Sequence, residues 1–266
     1  MKIIKNNTKG VTYYYCPELE SMGFKNMFTT KIGGVSFQKN EMNFGASCGD
    51  TKENIMKNYE KVFSILETGA EKTVKSKQTH SDIVLCVDSD FGGEGIIKEQ
   101  RFFEADGLMT SDPDMTLLVF YADCVPVIIA DKASKTVCAV HSGWRGTRAN
   151  IVKNAVTKLI EKQGSAPENL FAAIGPAIGV CHFEVQKNVY DEFIQTKNAV
   201  CTCSSDGKYF INLAHTVKNQ LSDCGIPEEN IALADICTYC DQSLYSYRRE
   251  GESAGRMAAF IKTPHE

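Results

Sequence analysis

Apolar residues recur at helical spacing in two long segments of the chain. After Asp50 they repeat every three or four residues, which predicts an amphipathic helix capped by Asp50 and ending near Gly69. A second one-sided pattern predicts a helix from Thr147 to Gln163, with Thr147 as its cap and Gly164 as its stop. Weaker patterns of the same kind lie at 185–194 and 212–224.

Short apolar runs predict the strands of a buried sheet. They are 83–87, 116–121, 125–130, 136–141, 170–174 and 231–236. Runs that are apolar on both faces are typical of strands covered from both sides. Because helices and strands alternate irregularly, we predict a mixed α/β or α+β fold of mixed β-sheets flanked by helices, not a doubly wound sheet. No repeat or linker interrupts residues 1–266, which favours a single domain.

Composition and charge narrow the functional classes. The chain has 266 residues, of which 43% are hydrophobic and 23% charged, so it can bury a sizeable core. Its net charge of −4 and the lack of a long basic run speak against a nucleic-acid surface. No segment resembles a signal peptide or approaches the roughly 18 apolar residues of a membrane span. The eleven cysteines are then expected to be reduced thiols in the cytoplasm.

The third and fourth of the predicted strands are joined by the polar stretch DKASK and predict a β-hairpin. If Asp131 pairs with Lys135, Cys124 falls opposite Ser142 and next to His141 at the open end. Antiparallel neighbours lie about 5 Å apart. The hairpin therefore predicts that Cys124 and His141 are close enough to share one metal ion.

His80 is the third candidate ligand, because it stands in KQTHSD at a strand-to-loop junction, where functional side chains are common. Two imidazoles and a thiolate would leave one position of a tetrahedral zinc site open, as in catalytic zinc. The same donors suit copper. The alternative is that Cys124 is a small core residue, since buried cysteines usually are. Nothing in the sequence alone brings His80 to the hairpin.

Glycines and arginines follow His141 in HSGWRGTR. Arg145 and Arg148, with the free N–H groups of a helix start, predict an anion site beside the candidate metal. The alternative is an ordinary glycine turn into a helix. Three further arginines share a Gly-containing segment near the C-terminus: Arg248, Arg249 and Arg256. That segment is either part of an anion site or a solvated basic loop.

Other cysteines give a weaker pattern. Cys237 and Cys240 form a CxxC, but no second CxxC follows at the spacing of a zinc ribbon, and Cys201 and Cys203 form a CxC. The sequence therefore gives little support for a structural zinc there. The segment GPAIGVCHFEV lines a pocket or shapes a loop, and its polar side chains are Cys181, His182 and Glu184.

Several motifs resemble one family in their order along the chain. They are FTTKIGGVS, MNFGASCGD, QTHSD, ADGLMT, YADCVPVIIAD, AVHSGWRGT, GPAIGVCHFEV and YRREGESAGRMA. They resemble the YfiH or laccase-domain family, also described as purine nucleoside phosphorylase YfiH and formerly as polyphenol oxidase. The resemblance covers nearly the whole chain.

The resemblance implies a single α/β domain with a zinc site made by His80, Cys124 and His141. Asn43 and Gln78 lie in the matching motifs and join the arginines as candidate substrate- or phosphate-binding residues. The implied activity is phosphorolysis of adenosine, inosine and methylthioadenosine, together with deamination of adenosine. The implied partners are purine nucleosides and phosphate. The sequence leaves the oligomeric state open.

Two positions depart from the family pattern. Lys31 stands where an arginine is usual, and lysine binds phosphate as a point charge rather than as a fork. Ala177 stands where a cysteine is usual, which matters only if that cysteine were catalytic.

Three other functions compete with the nucleoside enzyme. A copper-dependent polyphenol oxidase with a multicopper cluster would need far more imidazoles than the five histidines present. A thiol hydrolase acting in peptidoglycan editing would use Cys124 as nucleophile and His141 as base. A non-enzymatic metal-binding module is disfavoured by an open coordination position beside arginines.

Overall fold

The computed structural model describes residues 1–37, 41–100 and 104–265. Its strands are β1 (Ile4–Thr8), β2 (Val11–Tyr15), β3 (Asn26–Thr29), β4 (Ile32–Ser36), β5 (Thr73–Lys75), β6 (Val84–Cys86), β7 (Gly107–Thr110), β8 (Thr116–Tyr121), β9 (Val125–Asp131), β10 (Val137–Ser142), β11 (Leu170–Ile174), β12 (Glu184–Val185), β13 (Cys201–Cys203), β14 (Tyr209–Ile211), β15 (Ile231–Leu233) and β16 (Met257–Lys262). Its α-helices are α1 (Pro17–Ser21), α2 (Lys52–Leu66), α3 (Trp144–Arg148), α4 (Ile151–Gln163), α5 (Lys187–Phe193), α6 (Leu213–Asp223) and α7 (Tyr247–Glu250).

Two six-stranded sheets and one small sheet organise these strands. The first sheet has the order β1-β2-β3-β16-β8-β5, and the second has the order β15-β11-β9-β10-β7-β6. The small sheet has the order β12-β14-β13. Most neighbours are antiparallel, but β5–β8, β6–β7 and β11–β15 run parallel. The predicted mixed sheets flanked by helices are therefore confirmed.

Alternate residues of the central strands pack into different layers of the core. On β8, Leu117 and Val119 face the core between the two large sheets, whereas Leu118 packs with the apolar face of α2. On β10, Ala139 lies between the sheets and Val140 packs with residues of α4 and α6. Both faces of each strand are buried, which is why these runs are apolar throughout.

Two predicted helix starts differ from the structure. Helix α2 is capped by Thr51, whose Oγ1 accepts from the Asn54 N–H, one residue later than predicted. The predicted helix from Thr147 is divided into α3 and α4, because Asn150 takes a left-handed conformation with φ of 60°. None of the helices in the described ranges is long and apolar enough to cross a lipid bilayer.

The predicted hairpin forms, but its register differs by one residue. Val125 pairs with Ser142 and the Asp131 N–H donates to the Thr136 carbonyl, so Asp131 does not pair with Lys135. The Asp131 carboxylate accepts bonds inside the turn, and Lys135 adopts a left-handed φ of 60°. These local bonds favour a four-residue turn over the three-residue turn that the prediction assumed.

Candidate metal centre and adjoining cleft

Three side chains distant in sequence converge at the open end of the β9–β10 hairpin. The donor atoms of His80, Cys124 and His141 all lie within 4.8 Å of one another, and Cys124 Sγ is 3.9 Å from His80 Nε2. His141 is buried, Cys124 is partly buried and His80 is exposed. A thiolate and two imidazoles that close together fit a tetrahedral zinc ion with one position left for another ligand.

The path of the chain between the two large sheets brings these side chains to the candidate metal centre. Cys124 lies where the chain leaves β8 of the first sheet and enters β9 of the second, and Asp123 makes that crossing with φ of 90°. His80 follows β5 with φ of 62°. Left-handed backbone is costly for residues other than glycine and persists only where surrounding bonds hold it.

Asp106 supplies the bonds that hold this geometry. Its side chain is fully buried, and its Oδ1 lies 2.7 Å from His141 Nδ1. The same carboxylate accepts from the backbone N–H groups of Thr79 at 3.0 Å, His80 at 3.1 Å and Ser81 at 2.7 Å. Since the ionised carboxylate can only accept, His141 Nδ1 carries a proton, and Nε2 is the ring nitrogen that can bind a metal.

The electrostatics of the site favour the ionised thiol in the metal-free protein. Burial would raise the pKa of Cys124, but the neighbouring His141 and His80 outweigh it and lower that pKa to about 6. Burial would lower the pKa of His141, but the Cys124 thiolate and Asp106 raise it to about 9. The pKa of Asp106 falls to about 2 despite its burial, because His141 and backbone N–H groups stabilise the anion.

Gly143 leaves the space in which the donors meet. A Cβ at this position would lie 2.8 Å from His80 Cδ2 and 3.2 Å from Cys124 Sγ. Any other residue would displace one of the two donors. The sequence suggested that the two glycines of HSGWRGTR belong to an anion site. One of them, Gly143, instead makes room for the metal donors.

A cleft of about 620 Å³ opens beside the three donors. This volume is in the usual range of small-molecule sites. Four cationic and four aromatic side chains share its lining: Lys75, Lys77, Arg248, Arg256, Phe120, Tyr121, Phe183 and Tyr247. The cleft therefore offers both positive charge for an anion and flat apolar faces for a ring.

Gln78, Arg248 and Arg256 are the predicted binding residues that the structure brings to the cleft. The Gln78 amide holds the backbone of Phe120 through both of its ends, at 2.9 and 2.6 Å. Arg248 Nη1 donates to the carbonyl of His182 at 2.9 Å. Gln78 thus shapes the cleft, whereas the two arginines present charge to it.

Arg145 and Arg148 lie outside the lining of the cleft. Both are exposed: the Arg145 guanidinium stacks 4.3 Å from the Trp144 ring, and Arg148 pairs with Glu192 at 3.6 Å. Helix α3 has only five residues. The anion-binding geometry predicted for HSGWRGTR does not form around the candidate metal.

Arg249 and Asn43 are also outside the cleft lining, and the side chains of both form hydrogen bonds with backbone groups. Arg249 Nη1 donates to the carbonyls of Thr238 and Tyr239 at 2.8 and 2.7 Å. Asn43 is fully buried, and its Oδ1 accepts from the Arg256 N–H at 2.8 Å. Asn43 therefore acts on the cleft indirectly, by fixing the backbone of Arg256.

Sequence reasoning missed Asp106, Asp123 and Lys75. Asp123 Oδ1 accepts from the Thr238 hydroxyl at 2.6 Å and its Oδ2 from the Arg248 N–H at 2.6 Å, so it joins the metal centre to the wall of the cleft. Asp106 and Asp123 each stand in one of the motifs that resemble the family, one and two residues before the start of a buried strand. A carboxylate just before a buried strand is the sequence feature that could have identified these two residues. No such feature marks Lys75, at the end of β5.

The chain is similar to known proteins over nearly its whole length. The family described as multi-copper polyphenol oxidoreductase laccase matches residues 25–264. A protein named purine nucleoside phosphorylase from Clostridium acetobutylicum is 34% identical over 96% of this chain and 98% of its own. The purine nucleoside phosphorylase YlmD from Bacillus subtilis is 32% identical over 88% of this chain and 86% of its own.

Solved structures share the fold. YlmD from Geobacillus stearothermophilus superposes with a TM-score of 0.91 at 28% identity, covering 100% of both chains. A YfiH protein from Bacillus licheniformis superposes with a TM-score of 0.89 at 30% identity, covering 97% of this chain and 98% of its own. The chain belongs to the laccase-domain family, and the resemblance found in its motifs is confirmed.

Replacing Asp106 by Asn should weaken zinc binding by about 10- to 100-fold, because the neutral amide no longer favours the Nδ1–H form of His141. The measurement is competition for zinc with a chromophoric chelator. Asp131→Asn is the control, since Asp131 is equally buried at the other end of the same hairpin. Equal zinc affinity in the Asp106 variant and the wild type would contradict this role of Asp106.

The metal-free protein should show a fast alkylation of Cys124 that rises with a midpoint near pH 6, because the thiolate is the reactive form. Below that pH the thiol is protonated and the rate should fall. Iodoacetamide labelling followed by peptide mapping measures it. Cys48, also partly buried, is the internal control, since burial raises its pKa. A Cys124 midpoint near 9, the ordinary thiol value, would show that the histidines do not stabilise the thiolate.

Proposed function

We propose that this member of the laccase-domain family is a purine nucleoside phosphorylase that uses a zinc ion held by His80, Cys124 and His141. The observation that carries the proposal is the convergence of these donors on a cationic, aromatic-lined cleft. Relatives named purine nucleoside phosphorylase, similar over nearly the whole chain, support it.

The donor set suits the proposed metal. Zinc takes imidazole and thiolate ligands, and a site with three protein ligands keeps a position for chemistry. When bound, the ion would supply Lewis acidity toward a substrate atom. Asp106 orients the His141 ring through Nδ1 and fixes the backbone of His80, so one imidazole and the backbone that bears the other are held before any metal arrives.

The cleft can bind the two substrates of phosphorolysis side by side. Phe120, Phe183 and Tyr247 offer faces for a purine ring. Arg248, Arg256 and Lys75 offer positive charge for phosphate. Burial lowers the pKa of Lys75, which an incoming phosphate would counteract.

In the reaction, a phosphate oxygen forms a bond to C1′ of the ribose while the bond between C1′ and the purine nitrogen breaks. The base leaves with the electron pair of that bond. The arginines hold the anionic nucleophile against the sugar carbon, where positive charge develops. The substrates proposed are adenosine, inosine and methylthioadenosine, and we propose adenosine deamination as a second activity of the same site.

A thiol hydrolase is the second candidate, and one observation favours it. Cys124, His141 and Asp106 form a line of thiol, imidazole and carboxylate, and His141 lowers the pKa of Cys124. The same three groups would serve a cysteine nucleophile, its base and an orienting carboxylate. Loss of activity on removal of metal separates the two functions.

Removing the metal with a chelator should abolish phosphate-dependent release of hypoxanthine from inosine, and added zinc should restore it. Cys124→Ala should lose bound zinc and the activity together, because it removes the thiolate ligand. Element analysis and a coupled base-release assay measure both, and copper added in place of zinc shows which ion supports turnover. Cys203→Ala, at an exposed cysteine, is the control. An undiminished rate of phosphorolysis by zinc-free protein would contradict the proposal.

Arg256→Ala should lower kcat/KM for phosphate by about 10- to 100-fold, since a hydrogen bond to a charged group contributes about 1.5–3 kcal/mol. Arg148→Ala should leave it unchanged, because Arg148 is exposed and paired with Glu192 outside the cleft lining. Zinc content and melting temperature check that each variant is intact. Equal losses in the two variants would place phosphate elsewhere.

A further inference from the structure

A second cluster of metal-binding side chains lies apart from the first. Cys181 and His182 come from the segment after β11, and Cys237 and Cys240 come from the segment after β15. Their four donor atoms all lie within 4.8 Å of one another. We propose that these four side chains hold a structural zinc ion that clasps the two segments together.

The distances between the donors match tetrahedral coordination. Zinc bonds of about 2.3 Å to sulfur and about 2.0 Å to nitrogen place two sulfurs about 3.8 Å apart and sulfur and nitrogen about 3.5 Å apart. Cys181 Sγ and Cys240 Sγ are 3.8 Å apart. His182 Nδ1 lies 3.2 Å from the Cys181 sulfur, 3.4 Å from the Cys240 sulfur and 3.9 Å from the Cys237 sulfur.

The backbone around the cluster is arranged for thiolates. The Gly179 N–H points at Cys237 Sγ at 3.2 Å, the kind of bond that stabilises a coordinating sulfur. A Cβ on Gly179 would lie 3.1 Å from Cys237 Cβ and 3.2 Å from Cys181 Sγ, so the close approach needs a glycine here. The His182 ring stacks on Tyr239, with ring centroids 3.9 Å apart, which fixes its direction.

Two arginines support the segments that bear the donors. Arg249 Nη1 holds the carbonyls of Thr238 and Tyr239, the two residues between the cysteines of the CxxC. Arg248 Nη1 holds the His182 carbonyl. Three thiolates and one imidazole around Zn²⁺ carry one net negative charge. The Arg248 guanidinium lies where it can offset that charge, whereas the Arg249 guanidinium is paired with Glu250.

The donor count distinguishes this cluster from the first one. Three thiolates and an imidazole fill the four positions of a tetrahedral zinc ion, which is the pattern of structural sites. The set at His80, Cys124 and His141 is one donor short of that. The two clusters therefore suit different roles, closed in one case and open in the other.

The proposed second zinc site, called the clasp here, would hold part of the wall of the cleft in place. The segment of Cys181 and His182 also carries Ile178 and Phe183, which line the cleft. The segment of Cys237 carries Thr238, whose hydroxyl bonds to Asp123 beside Cys124. A metal joining the two segments would hold Phe183 in place and brace the residue that precedes Cys124.

The test is the zinc content of the full-length protein purified under reducing conditions. Native mass spectrometry and element analysis should give two zinc ions per chain in the wild type and one in Cys240→Ser. They should give one in Cys124→Ala and none in the double variant. Cys203→Ser is the matched control, an exposed cysteine outside the cluster, and it should keep both ions.

Cobalt provides a second measurement, whose main result comes from the wild type. Cobalt-loaded wild type should show the intense charge-transfer absorption of several thiolates on one ion, and Cys124→Ala should retain most of it. A zinc content that Cys240→Ser leaves at the wild-type level, or a Cys181–Cys240 disulfide in place of metal, would overturn the proposal. Two ions in the wild type combined with zinc-free phosphorolysis would refute the proposed function and leave this clasp standing.

Discussion

The buried carboxylate of Asp106 is the interaction on which the rest of the site depends. It immediately precedes β7 and binds two separate segments: the backbone around His80 and the ring of His141. A buried charge is stable only when its hydrogen bonds are satisfied, and here five donors satisfy it. The left-handed backbone at His80 persists because those bonds compensate its cost.

The stacking of two sheets explains why a cleft opens at this place. The chain passes from β8 in one sheet to β9 in the other, and the crossing at Asp123 and Cys124 leaves the regular hydrogen bonding of both. Polar groups freed there can serve a ligand instead of a neighbouring strand. Cations and aromatic rings from several loops complete the lining, so the sheets supply rigidity and the loops supply chemistry.

The two donor clusters differ in how many metal ligands they offer. One places three donors beside an open cleft, and the other brings four donors close together. Asp123 connects them, since Thr238 and Arg248 bond to its carboxylate and Cys124 follows it in sequence. Arg249, which the sequence suggested as a substrate contact, instead holds backbone in this region by donating to three carbonyls.

Local alternation and turn chemistry were enough to predict six of the sixteen strands that the structure describes, the helices α2, α4, α5 and α6, and the pairing of Cys124 with His141. A one-residue error in the hairpin register did not separate that pair. His80 joins this pair only on folding, because the buried carboxylate of Asp106 holds its backbone. Folding also places Cys181 beside Cys240, which is 59 residues further along the sequence. Such contacts depend on how two sheets stack and where loops return, and spacing along a chain does not encode distance between its segments.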